Sequence, residues 1–127
     1  MTYVNITGVK YPATILGKMN DKDWDGRESK AITLEMSYAE AINLFVDGVA
    51  WSIVDEFETS ELQTDEEGNI VVDKEGNPIM EDVIKSEEFD NSEFNLAGDL
   101  TDHRDGTITV KMGKLTELET ALEMLLV

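Results

Sequence analysis

Asp21, Asp23 and Asp25 recur at every second position ahead of Gly26. Alternate carboxylates followed by a glycine are how a calcium loop begins, because side chains two apart can converge on one hard cation while glycine takes the turn. An EF-hand loop ends on a bidentate glutamate at its twelfth position. Ile32 stands there in this chain, and Lys22 and Arg27 offset part of the negative charge. Two readings follow: an aspartate-rich loop that caps its own backbone, or a weak calcium site through Asp21, Asp23 and Asp25, with Glu28 as a further carboxylate. No other cofactor is expected.

His103 is the only histidine, and Asp102 and Asp105 are its neighbours in sequence. It falls in an expected hairpin turn, and a lone histidine cannot build the usual histidine metal sites. Carboxylates are so frequent that pairs of them carry no specificity for acid–base catalysis. Neither a phosphate-binding glycine loop nor a Gly-x-Ser-x-Gly elbow is present. No catalytic residue is assigned, and the chain reads as a non-enzyme. Trp24, in the polar loop, is a candidate interface anchor, with folding back over the sheet edge as the alternative. Leu126 falls off the main stripe of a C-terminal helix and is a candidate contact to a second subunit. Trp51 reads as core.

The elements that must position these residues follow from periodicity. Tyr3 to Ile6 and Tyr11 to Leu16 alternate around a turn at Thr7–Lys10, giving an antiparallel hairpin. Lys30 to Met36 reads as a third strand and Val49 to Phe57 as a fourth. Ser37 and Glu40 form a capping box that opens a helix with Ile42, Phe45 and Val46 along its apolar side and Gly48 at its end. Phe94–Leu100 and Ile108–Met112 flank Asp105-Gly106, a strong hairpin signal. Thr116 and Glu119 form a second capping box, and Leu115, Leu118, Leu122 and Leu125 set the stripe of a C-terminal helix.

The predicted fold class is α+β: an antiparallel sheet of five or six strands with two helices packed on one face, as a single domain over 1–127. An acidic excursion at about 58–92 interrupts it. Residues 55–90 hold fourteen acids against Lys74 and Lys85. Glu67-Gly68-Asn69-Ile70 and Glu75-Gly76-Asn77-Pro78 echo one another within it. The segment reads as an acidic hairpin, with three uses in view: a solvated excursion, a docking arm for a protein partner, or an imitation of DNA charge.

Across the whole chain 28 acids face 10 bases, for a formal charge of −18. Such a chain repels phosphates and anionic lipids and attracts basic partners, so direct nucleic-acid or membrane binding is not expected. There are no cysteines, which rules out disulfides and thiolate metal sites. Met1–Asn5 lacks the basic and apolar regions of a signal peptide, so the expected compartment is the cytoplasm.

Three stretches together, Met19–Lys30, Phe45–Gly48 with Trp51–Val54, and Ala97–Asp99 through Asp105–Thr107 to Met112–Lys114, resemble small uncharacterised prophage-encoded proteins of Gram-positive bacteria. The resemblance implies a phage context and carries over no functional residue. The expected function is therefore a phage-derived, non-enzymatic interaction or structural protein, a virion component or assembly factor, with a protein partner or a second copy of the chain. The alternatives are an acidic inhibitor of a host nucleic-acid enzyme and a calcium-binding module.

Overall fold

In a computed structural model that describes residues 1–125, alternating apolar residues build seven strands. They are β1 (Thr2–Ile6), β2 (Val9–Asp21), β3 (Arg27–Glu35), β4 (Trp51–Leu62), β5 (Met80–Asp90), β6 (Leu96–Asp102) and β7 (Thr107–Gly113). The helices are α1 (Tyr38–Leu44) and α2 (Glu117–Leu125). The strands form one sheet in the order β5-β4-β1-β2-β3-β7-β6. An antiparallel α+β fold was expected, but with five or six strands. The additional strand is β5, the returning arm of the acidic segment, which was expected as a hairpin excursion and not as part of the sheet.

The chain divides into two compact units. The larger comprises Thr2–Val54 and Glu88 onward, and the smaller comprises Asp55–Glu87 with Met1. β4 and β5 each have residues in both.

In the larger unit, registers such as Thr14↔Thr33 and Thr33↔Thr109 fix which residues share a face. Strand alternation puts Ile32 and Leu34 of β3 beside Ile108, Val110 and Met112 of β7 on one side. These join Val4, Ile6, Trp51 and Phe94 in the core. The Trp51 indole N–H donates to the Phe94 carbonyl at 2.9 Å, so its one polar group is satisfied inside. Thr7 and Gly8 take the two left-handed conformations of the β1–β2 turn (φ 54° and 83°), the pair of positive angles that a tight hairpin of this twist requires.

Both N-caps form, and the reciprocal bond of a full capping box is made at the second, where Glu119 Oε1 accepts from the Thr116 amide at 2.9 Å. Ser37 Oγ accepts from the Glu40 amide at 3.1 Å, and Thr116 Oγ1 accepts from the Glu119 amide at 3.2 Å. The helices then depart from expectation. α1 ends at Leu44, short of Gly48; Ala41 within it and Phe45 at its C-cap are buried, whereas Ile42 and Val46 stay exposed. α2 buries no side chain: Leu118 is 70% exposed, Leu122 51% and Leu125 80%. Of the two helices, therefore, only α1 contributes to the core cluster. Two helices packed on one face were expected, but the apolar stripe of α2 faces water.

Candidate functional site

The aspartate-rich stretch becomes a single 3-10 turn, Lys22–Trp24, between β2 and β3. Asp25 and Gly26 follow in left-handed conformations (φ 59° and 75°), and the Gly26 amide returns to the Asp21 carbonyl at 2.8 Å. This geometry separates the three carboxylates. Asp21 is fully buried, whereas Asp23 and Asp25 are exposed. Asp21 accepts from Lys111 Nζ at 2.9 Å, from Ser29 Oγ at 2.8 Å and from the Asp23 amide at 3.1 Å. Those donors, Lys111 first, hold its pKa down at about 2 against the opposing effect of burial. The same pairing raises the pKa of Lys111. Among the described residues, no three His, Cys, Asp or Glu side chains are gathered as a metal would need. The chemistry on view at Asp21 is a charge-paired bolt tying the loop to β3 and β7.

Arg27 is the residue that sequence reasoning missed. At the start of β3 its side chain is only 5% exposed, and it grips Glu119 of α2 with both terminal nitrogens, at 2.6 and 3.1 Å. Its Nη1 also donates to the Lys114 carbonyl at 3.2 Å. A bidentate guanidinium–carboxylate pair fixes geometry as well as charge. It holds the pKa of Glu119 down at about 2, with the Thr116 amide adding to the effect, and raises that of Arg27. Arg27 Nε is buried without a hydrogen-bond partner. In the sequence Arg27 registers only as a charge beside the aspartates. The signal for its role lies 92 residues away in the second capping box, whose glutamate it shares.

Trp24 completes this end of the larger unit. Its ring lies 4.9 Å from the Arg27 guanidinium carbon, a cation–π contact. It also rests on two glycines. A Cβ built on Gly113 would come within 2.5 Å of the ring and one on Gly98 within 2.8 Å. Trp24 is thus half-buried against β6 and β7. Leu126, the other candidate contact residue, lies outside the described residues.

His103 is exposed in the β6–β7 turn, with Nε2 2.7 Å from Thr109 Oγ1. An open cleft of about 460 Å³ lies elsewhere in the larger unit, with Glu88 and Asp90 on its wall. Ser52 Oγ and Asn5 Nδ2 donate to Glu88 at 2.6 and 2.9 Å, and Ser92 donates to Asp90 twice; both carboxyl pKa values are lowered by these bonds. Both groups act as acceptors in local networks.

In the smaller unit the internal echo proves to be one turn built twice. Asp65 Oδ1 accepts from the Glu67 and Asn69 amides, and Asp73 Oδ1 accepts from the Glu75 and Asn77 amides, all at 2.9–3.0 Å. Gly68 and Gly76 take matching positive φ angles of 85° and 84°. The two turns join three short segments at the end of the hairpin. There Gln63 N donates to the Ile79 carbonyl, Val71 N to the Gln63 carbonyl, and Ile79 N to the Val71 carbonyl, at 2.8, 2.9 and 3.0 Å. The three bonds close a ring. Along the stem, Ser60 bonds Asp82 and Glu61 pairs with Lys85, so alternation puts Glu56, Glu58 and Asp82 on one face and Glu61, Glu81 and Glu87 on the other. The carboxylates are divided between two faces rather than arrayed along one.

No helix among the described residues is long and apolar enough to cross a membrane. Comparison of the chain with protein-family models, with curated proteins and with solved structures finds no match in any of the three.

Proposed function

We propose that this is a non-enzymatic, phage-derived structural protein that assembles with further copies of itself through α2. The single observation that carries this reading is a pinned helix with an uncovered apolar stripe. A nine-residue helix is too short to be stable alone in water, where about 12–15 residues are marginal. Here the Arg27 clamp and the Thr116 cap hold it in place, yet Leu118, Leu122 and Leu125 are left in solvent. A stripe held in place but uncovered suits a contact made on assembly, and a two-fold contact would cover two such stripes at once.

Arg27 cancels the Glu119 charge, which leaves Glu117 and Glu123 as the acids of α2 whose repulsion between copies salt must screen. The internal charged groups support a structural role, since Asp21 with Lys111 and Arg27 with Glu119 are committed to each other. The phage setting rests on the resemblance of the three sequence stretches given above.

Sedimentation equilibrium at low and high salt tests the reading. The expected result is association that strengthens with salt, as screening weakens repulsion between acidic copies, and that is lost in L118E/L122E with an unchanged circular dichroism spectrum. A wild-type chain that stays monomeric at every concentration and salt would overturn it.

A further inference from the structure

We propose that the tip of the acidic hairpin is a docking surface for a protein partner whose apolar centre is rimmed by lysine and arginine. The surface belongs to the smaller unit and is independent of α2.

In the ring of backbone bonds, Gln63, Val71 and Ile79 are partly buried. Strand alternation turns the side chains on either side of each the other way. Those flanking residues include Leu62, Ile70, Val72 and Met80, with exposures of 44, 52, 51 and 54%. The pairings Thr64↔Ile70 and Val72↔Pro78 bring the flanking positions of neighbouring segments side by side. Ile84, 76% exposed, continues the series along β5, two positions beyond Asp82 and four beyond Met80. Large aliphatic groups scattered singly over a surface need no explanation, but a group of them on one small element marks a contact site. The two Asp-capped turns hold this group in a fixed arrangement, so little ordering entropy is lost when a partner arrives.

Charge selects the occupant. The smaller unit carries twelve acids in Asp55–Glu87 against Lys74 and Lys85. Asp65, Glu66, Glu67, Asp73 and Glu75 all lie in the two turns beside the apolar side chains. A second copy of this tip would bring like charges together, and an anionic lipid surface or nucleic acid would be repelled. A protein surface with apolar groups at its centre and basic groups at its edge answers both features. The carboxylates then steer the encounter, and the aliphatic groups hold the complex.

The full-length protein is titrated against three labelled peptides by fluorescence anisotropy: alternating leucine and lysine, alternating serine and lysine, and alternating leucine and glutamate. The leucine–lysine peptide should bind roughly tenfold tighter than the serine–lysine peptide, and the leucine–glutamate peptide should not bind. I70S/V72S/M80S alters exposed side chains only, so it should keep the wild-type circular dichroism spectrum and lose the preference for leucine. Equal binding of the two lysine peptides, no binding of either, or a preference that survives in the triple variant would overturn the proposal. A triple variant that shifts the sedimentation equilibrium would also overturn it, by showing that a second copy covers the tip. L118E/L122E should bind the peptides as wild type does, which separates this result from any failure of assembly through α2.

Discussion

The Trp24–Arg27 end of the larger unit and the tip of the hairpin are both rich in acids, but they use them in opposite ways. At the first, every buried charge has an opposite charge against it: Asp21 with Lys111, and Arg27 with Glu119. At the second, Asp65 and Asp73 stay in water and accept backbone amides, which shapes the two turns. Burial decides the difference. A carboxylate removed from water needs a cation or several donors to remain charged, whereas a solvated one can serve the local backbone. The first region spends its acids on cohesion, and the second spends them on turn geometry and surface potential.

Replacing one large side chain in each region gives the widest separation. Trp24→Ala removes the ring that covers Gly98, Gly113 and Arg27, and should cost about 3 kcal/mol in chemical denaturation. Ile84→Ala, in the exposed stem, should fall within about 0.5 kcal/mol of wild type. Similar losses at both positions would erase the contrast.

Glycines sharpen it. Gly113→Ala places a Cβ where the Trp24 ring and the Arg27 Cδ already sit, at 2.5 and 2.8 Å, and overpacking of this kind costs about 1–3 kcal/mol. Gly68→Ala meets nothing within 4 Å. Its penalty is only that of a left-handed φ for an L-residue, about 1 kcal/mol. Thermal melts of the two variants should preserve that order.

Acid provides the finest comparison. The folded pKa of Glu119 lies below its ordinary value of 4.5, at about 2. Its contribution is therefore fully present above pH 4.5 and is lost as pH falls toward 2. Glu119→Gln should be less stable than wild type at neutral pH, and the gap should close across that window. Denaturant midpoints measured from neutral pH down to pH 2 follow it directly. A gap that stays constant through the window would show that the clamp acts by shape and not by charge.

Much of the larger unit was legible in the sequence because its signals are local. Ser37 with Glu40 and Thr116 with Glu119 each span three residues, and Asp105-Gly106 marks its own turn. The internal echo around Gly68 and Gly76 was visible as well, although what it built was not. Two kinds of information were missing. Phe45 is buried as its place in the stripe predicts, but Ala41 turns inward with it while Ile42 and Val46 stay exposed, a rotation set by what the sheet presents and not by helical period. The partners of Arg27 and Asp21 lie 92 and 90 positions along the chain, in Glu119 and Lys111, beyond the reach of any window. α2 misled for a further reason: an apolar stripe records that something must be covered, not that this chain covers it.

The closed ring at Gln63, Val71 and Ile79 has a consequence for solubility. Sticky side chains near a strand terminus usually invite fibril growth, because unpaired peptide groups beside them can recruit another backbone. Here all three amide hydrogens and all three carbonyls of the circuit satisfy one another. A visiting chain finds greasy groups to touch but no open rung at those positions on which to extend a ladder, so adhesion at this point can stay reversible.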